Sequence, residues 1–237
     1  MDQIERRAAD PVDVERGLRA DRIIDAAGRL LVSWGYQRIT IGEVARRAGV
    51  GKGTVYLHFP TKEALFLAVL TRSVVVLVDA LTREIDDDPA AVLPGRVARF
   101  GYRRLREDPI GRALFTGDAD TLGALAHSPE LGDVPQERDR VIGDYLAILR
   151  EHGVARTDDD PEQQRHGFVA LLTGYLATEP GAPDAEGTAD FVARIAGAAF
   201  ETPAADRSPD PAAQQVRALL HRTLDQLHQR LSRQFAF

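Results

Sequence analysis

Lys52 and Lys62 are the only lysines in a chain of 237 residues whose other twenty-eight basic side chains are all arginine. Both lie in the short stretch Gly51-Lys52-Gly53-Thr54-Val55-Tyr56-Leu57-His58-Phe59-Pro60-Thr61-Lys62, which also carries hydroxyl, phenol and imidazole groups. An ammonium there can donate to phosphate oxygens or to the acceptor atoms on a guanine edge. This is the chemistry of holding a polyanion, not of breaking a bond.

The residues that would support catalysis are not grouped for it. Six histidines (His58, His127, His152, His166, His221 and His228) are scattered, and none sits in an H-E-x-x-H or similar metal spacing. His221 and His228 would share a helix face, but no carboxylate or thiolate set accompanies them. There is no cysteine, hence no disulfide framework and no thiol nucleophile. Gly51-Lys52-Gly53-Thr54 resembles the end of a phosphate-binding loop but lacks the upstream glycine and the preceding strand. The acid pairs Asp86–Asp88 and Asp158–Asp160 adjoin prolines and read as turns and helix starts. The expectation is therefore no catalytic residue, no metal and no cofactor: not an enzyme.

The elements that must position the two lysines can be read around them. Thr40 and Glu43 have capping-box spacing, so a helix starts at Ile41. Val44, Ala45 and Ala48 give it one apolar face, and Gly49 ends it in a left-handed conformation. A second short helix opens at Gly51 or Lys52, turns Val55 and Phe59 inward and stops at Pro60. Thr61 caps a third, longer helix. Two short helices joined by a tight turn form a helix-turn-helix, the second helix of which enters a DNA major groove. Ala45 lets the two approach. Lys52, Gly53 and Thr54 then occupy the first turn of the recognition helix, with Leu57 exposed one turn further on, and Lys62 lies at a helix N-terminus suited to phosphate. An earlier helix, from about Val14 to Trp34, carries a stripe of Ile23, Ile24, Ala27, Leu30, Leu31 and Trp34 and completes a three-helix head. Arg19 and Arg22 on its polar side are further phosphate candidates.

These words, T-I-x-E-V-A-x-x-A-G-V, G-K-G-T-V-Y-x-H-F and K-E-A-L, closely resemble the DNA-binding domain of TetR-family transcriptional repressors over roughly residues 15–70. Gly51 departs from the serine often found at its position. Tyr56 and His58 are expected off the Val55–Phe59 core face, and the resemblance implies DNA contacts from Thr40, Lys52, Gly53, Thr54, Tyr56, His58 and Lys62, with Tyr56 and His58 on the DNA backbone and Tyr56 also against a thymine methyl. It also implies a homodimeric repressor on a palindromic operator, released by a small-molecule effector held in a largely apolar pocket. The alternatives are a helical small-molecule-binding protein or enzyme, or a DNA binder without an effector.

The charge distribution agrees with one DNA-facing end. Residues 16–62 hold nine Lys or Arg against three Asp or Glu, whereas residues 63–237 hold nineteen against twenty-eight. A small basic module thus sits on an acidic body. With no signal peptide and no apolar run of membrane-spanning length, the expectation is a cytoplasmic protein with no membrane partner.

Along the chain the division reads as a flexible arm at 1–13, the DNA-binding domain at 14–60 (helix-turn-helix at about 41–60), and a helical effector-binding and dimerisation body at 61–237. A long helix from Thr61 to about Ile85 joins head to body. Helical periodicity continues at 90–107, 136–152, 161–178, 188–200 and 212–233, with loops at 128–135, 179–183 and 202–211. No strand pattern of useful length occurs, so the fold is all-α. Phe100, Tyr102, Arg104, Phe115, Leu122, Tyr145, His166, Phe168 and Tyr175 are the candidate effector-pocket residues. The dimer surface is expected from 161–178 with 212–233, the alternative second partner being 188–200.

Overall fold

The structure, a computed structural model, describes residues 11–127, 134–178, 184–203 and 208–234. Among these residues the regular elements are helical, apart from one antiparallel bridge between Ala155 and Glu201. The α-helices are α1 (Pro11–Trp34), α2 (Ile41–Ala48), α3 (Lys52–His58), α4 (Lys62–Asp87), α5 (Pro94–Glu107), α6 (Pro109–Thr116), α7 (Ala119–Leu122), α8 (Val134–Glu151), α9 (Pro161–Thr178), α10 (Ala185–Phe200) and α11 (Asp210–Gln234). The expected arm lies mostly outside the described residues, and α1 takes in its last three. Of the loop expected at 128–135, Val134 and Pro135 open α8 and the rest falls outside the described residues, as does 179–183.

Helix ends follow from side-chain chemistry. Thr40 Oγ1 accepts from the Glu43 N–H at 3.3 Å, which is half of a capping box. The Glu43 carboxylate turns instead to Arg46, 2.6 Å away. Gly49 adopts φ 68°, and the Val50 N–H returns to the Ala45 carbonyl at 3.0 Å, closing α2. Thr61 caps α4 through the Ala64 N–H at 3.0 Å. Aspartates act the same way: Asp88, Asp108, Asp118 and Asp160 each accept a backbone N–H two residues on.

Two apolar cores stack along α4. The first gathers Ile23, Leu30, Leu31, Tyr36, Ile39, Val44, Ala45, Val55 and Phe59 with Leu65, Phe66 and Leu70 of α4. It also takes in Ala113, Leu122 and Leu125 from the α6–α7 region, so the core under the helix-turn-helix is completed by later parts of the chain. The second joins Ile85, Tyr102, Leu105, Tyr145, Leu149, Phe168, Leu172, Val192, Phe200, Val216 and Leu220.

Two expectations need correction. An eighteen-residue window of α4 has a mean hydropathy of 2.2, so by length and composition this helix could cross a membrane; the threonines, serine and arginine scattered through it had hidden that. Here it is the wall shared by both cores. The first half of the α11 stripe is not free for a partner either: Ala212, Val216, Leu219 and Leu220 are buried in the second core, α11 packing on α4 and α8, while Leu224 and Leu227 stay half-buried and Leu231 packs against the first core. Periodicity shows that a helix has an apolar face but not what covers it.

Candidate nucleic-acid interface

α3 sits on the first core through Val55 and His58 and leaves Lys52, Gly53, Tyr56 and Leu57 exposed. Tyr56 retains 44% of its accessible surface and Leu57 70%. The Lys52 ammonium lies 6.0 Å from the centroid of the Tyr56 ring, one turn away, so the two make one polar flank of the helix. Thr54 is half-buried on the other flank. A Cβ placed on Gly53 would meet nothing within 4 Å, which leaves its backbone open to close approach. Thr40 is exposed beside its cap.

Two members of the expected set stand differently. His58 is only 4% exposed, not off the core face as expected. Position 58 follows Val55 by three residues, which returns it to the inward side of a helix. Burial, then the nearby Arg16 and Arg19 guanidiniums, hold its imidazole below the ordinary histidine pKa. A neutral, enclosed ring is poorly placed to meet phosphate. Lys62 is half-buried, and its Nζ donates to the Tyr36 carbonyl at 2.8 Å while lying 3.9 Å from the Tyr36 ring centroid. Burial lowers its pKa, Glu63 opposing the shift. An ammonium has three donors, so this contact leaves others for a phosphate.

The nine candidate pocket residues do not form one lining. Leu122 belongs to the first core, and His166 is exposed on α9. Phe100 and Arg104, stacked at 5.8 Å, face a groove of about 480 Å³ lined by Glu84, Arg96, Arg99, Arg103 and Glu107, which is polar and not apolar. Tyr145 packs against Phe168 at 6.2 Å and donates to the Val92 carbonyl at 2.9 Å. Burial pushes its phenol well up, as expected of a core tyrosine. Phe115 lies under the Arg138 guanidinium at 5.0 Å. Tyr102 and Tyr175 meet edge-on at 6.5 Å. Of the nine, only Phe115 and Tyr175 are half-buried apolar residues on the second core, a set that also holds Leu77, Val78 and Leu81 of α4, Leu93, Val97 of α5, Val141, Ile142 and Ile148 of α8, and Leu171 of α9.

Residues 23–69 match the sequence model for bacterial regulatory proteins of the tetR family. An uncharacterized HTH-type transcriptional regulator of Mycobacterium bovis is 36% identical over 146 residues, 60% of this chain and 73% of that protein. The chain belongs to the TetR family. Two solved structures share its fold. The transcriptional regulator FadR from Bacillus subtilis, in complex with stearoyl-CoA, has a TM-score of 0.61 at 15% identity over 74% of this chain and 96% of that one. SmeT, the repressor of the Stenotrophomonas maltophilia multidrug efflux pump SmeDEF, has a TM-score of 0.57 at 23% identity over 78% and 91%.

As a TetR-family member the chain is a DNA-binding transcriptional regulator, and the basic head is the part whose geometry bears on that role. Tyr36 escaped the sequence reading. It is buried, its hydroxyl donates to Glu63 Oε1 at 2.9 Å, and its ring meets Phe66 edge-on at 5.2 Å. With Lys62 it clamps the short 3-10 turn Tyr36–Arg38 onto the start of α4. Nothing in local spacing marks a partner twenty-six residues away; the rarity of lysine was the one signal, and it marked the other half of the pair.

Proposed function

We propose that this chain is a homodimeric repressor whose operator affinity falls when an apolar small molecule enters the body. The observation that carries the DNA half is the exposed face of α3, where Lys52, Tyr56 and Leu57 flank an open Gly53 on an otherwise packed head. Lys52, Gly53, Thr54 and Tyr56 are the contact set, Thr40 and Lys62 add backbone contacts, and His58 supports α3 from beneath. The head of about 14–60 acts with the first turns of α4, the remainder forming the effector and dimer body, and the setting is the cytoplasm.

The effector half rests on Leu77, Val78, Leu81, Val97, Phe115, Leu171 and Tyr175, half-covered apolar side chains carried by α4, α5, α6 and α9. Their chemistry favours an apolar ligand with few polar groups. For the dimer, Ala170, Gly174 and Ala177 of α9 and Phe191, Ala198 and Ala199 of α10 are exposed on neighbouring helices joined by the Tyr175–Phe191 edge contact at 6.4 Å. Small residues allow close helix approach, and two-fold pairing of α9 and α10 would make a four-helix bundle.

The test begins with a duplex selected by the full-length protein from a random-sequence pool. Lys52→Ala should weaken binding to that duplex and reduce the dependence of affinity on salt. Long-chain fatty acids and acyl-CoAs, titrated as probes of the apolar region, should release the operator. Phe191→Arg should give a monomer by light scattering. A wild-type monomer at micromolar concentration, or no selected sequence at all, would overturn the proposal.

A further inference from the structure

Successive residues of a helix are turned by about 100°, so Val55 and His58, both buried, fix the direction in which α3 faces the core. Gly53 and Leu57, one turn apart, fall on roughly the opposite side, while Lys52 and Tyr56 share one flank. The face of α3 turned most directly away from the core is therefore not the one that carries its lysine. It carries a glycine that meets nothing within 4 Å and a leucine that is the most exposed large apolar side chain among the described residues.

We propose that Leu57 is a specificity residue that reads the C5 methyl group of a thymine in the major groove. Leucine has no donor or acceptor, so it gains nothing from the guanine, adenine or cytosine edges, and the thymine methyl is the one apolar feature that a base pair presents there. Gly53 strengthens the assignment. Having no side chain on the same face, it lets the helix sink until the Leu57 methyl groups, not a longer polar group ahead of them, touch the floor of the groove. Lys52 and Tyr56 then lie towards the groove wall, where an ammonium and a phenol find phosphate or purine acceptors. Apolar surface held out in water at the tip of a recognition helix is covered only when DNA binds, so its burial contributes to binding and not to folding.

The proposal rests on α3 being the recognition helix, and the experiment separates the two. Each thymine of the selected duplex is replaced in turn by deoxyuridine, which keeps the pairing and lacks only the methyl. Affinity is then measured by fluorescence anisotropy for the wild type and for Leu57→Ala. Wild type should lose about fourfold at one thymine of each half-site, the equivalent of one buried methyl group. Leu57→Ala should already be weaker and should be indifferent to that same replacement. If the wild type tolerates every deoxyuridine, or Leu57→Ala keeps the wild-type sensitivity, Leu57 reads no methyl. If Lys52→Ala still weakens binding in that case, α3 remains the recognition helix and Leu57 alone is misassigned. If neither α3 substitution changes affinity, both fall together. Leu57 is exposed, so its truncation should leave the thermal midpoint in place, and a circular dichroism melt checks this.

Discussion

The Lys62 ammonium donates to the main-chain carbonyl of Tyr36 at 2.8 Å, tying the turn before the helix-turn-helix to the first residue of α4. The Tyr36 hydroxyl answers by donating to Glu63, so two consecutive residues of α4 grip one tyrosine from both ends. A side chain expected from sequence to meet phosphate is thus also a structural tie.

Lys62→Met keeps the aliphatic stem and removes the donor. It should lower the stability of the free protein by about 1 kcal/mol, the usual weight of a half-exposed hydrogen bond with a charged donor. Urea unfolding in the absence of DNA measures it. An unchanged midpoint together with weaker operator binding would mean that Lys62 acts on phosphate alone.

Below the recognition helix, His58 should make the head acid-sensitive. Its folded pKa lies below the unfolded value of 6.5, through burial and then through Arg16 and Arg19. The unfolded chain therefore takes up the proton first. The associated stability is complete above about pH 6.5 and is lost as pH falls through that value towards the lower folded pKa. The thermal midpoint should drop over this window, and His58→Gln should flatten the drop whatever it does to the midpoint at neutral pH. An identical pH profile in the variant would remove His58 as the source.

Gly35 is irreplaceable for two separate reasons. Its φ of 69° is left-handed, and a Cβ there would sit 2.7 Å from the Asp120 carbonyl oxygen. Gly35→Ala should cost about 1–3 kcal/mol in strain and should loosen the α7 region from the head. Differential scanning calorimetry would give the loss. A variant with the wild-type midpoint would show that Asp120 can move aside without penalty.

How much of this was legible in advance depended on whether the physics was local. Thr40, Gly49, Pro60 and Thr61 fix helix ends through their own backbone or nearest neighbours, and they could be read directly. The packing of Leu122 into the first core, the burial of Val216 and Leu220 of α11 and the Tyr36–Lys62 tie are products of tertiary pairing. A helical period marks an inward face without naming what covers it. His58 was misjudged for a related reason: a helix of two turns has so few core positions that one residue more or less reassigns a face. Six of the nine candidate pocket residues are Phe or Tyr, yet aromatics such as Tyr145 and Phe168 fill the core. The half-covered surface is largely aliphatic.

Effector control should pass from body to head through two contacts that move together. α4 carries Lys62, Leu65, Phe66 and Leu70 at the head end and Ile85 in the second core, with its half-covered residues Leu77, Val78 and Leu81 between them. Leu122 and Leu125 reach into the first core from the α6–α7 side, where a Cβ on Gly123 would lie 3.0 Å from Gln37. A ligand that wedges α4 from α6 therefore displaces both supports of the head at once. In a two-fold dimer the displacement changes the head-to-head spacing, which must match about one turn of DNA. A hundredfold loss of operator affinity needs only about 2.7 kcal/mol of preference for the mismatched spacing, within the usual range of allosteric coupling. The chain has no cysteine, so Val32→Cys, at an exposed position on α1, places one spin label on each head. The label distance should shift when the apolar ligand binds and return when operator is added. A bis-maleimide bridge between the two introduced thiols, formed on the operator, should then hold the dimer on DNA at ligand concentrations that release the unbridged form. If the bridged dimer lets go equally well, spacing is not the signal, and local unfolding of the head becomes the mechanism to measure by hydrogen exchange.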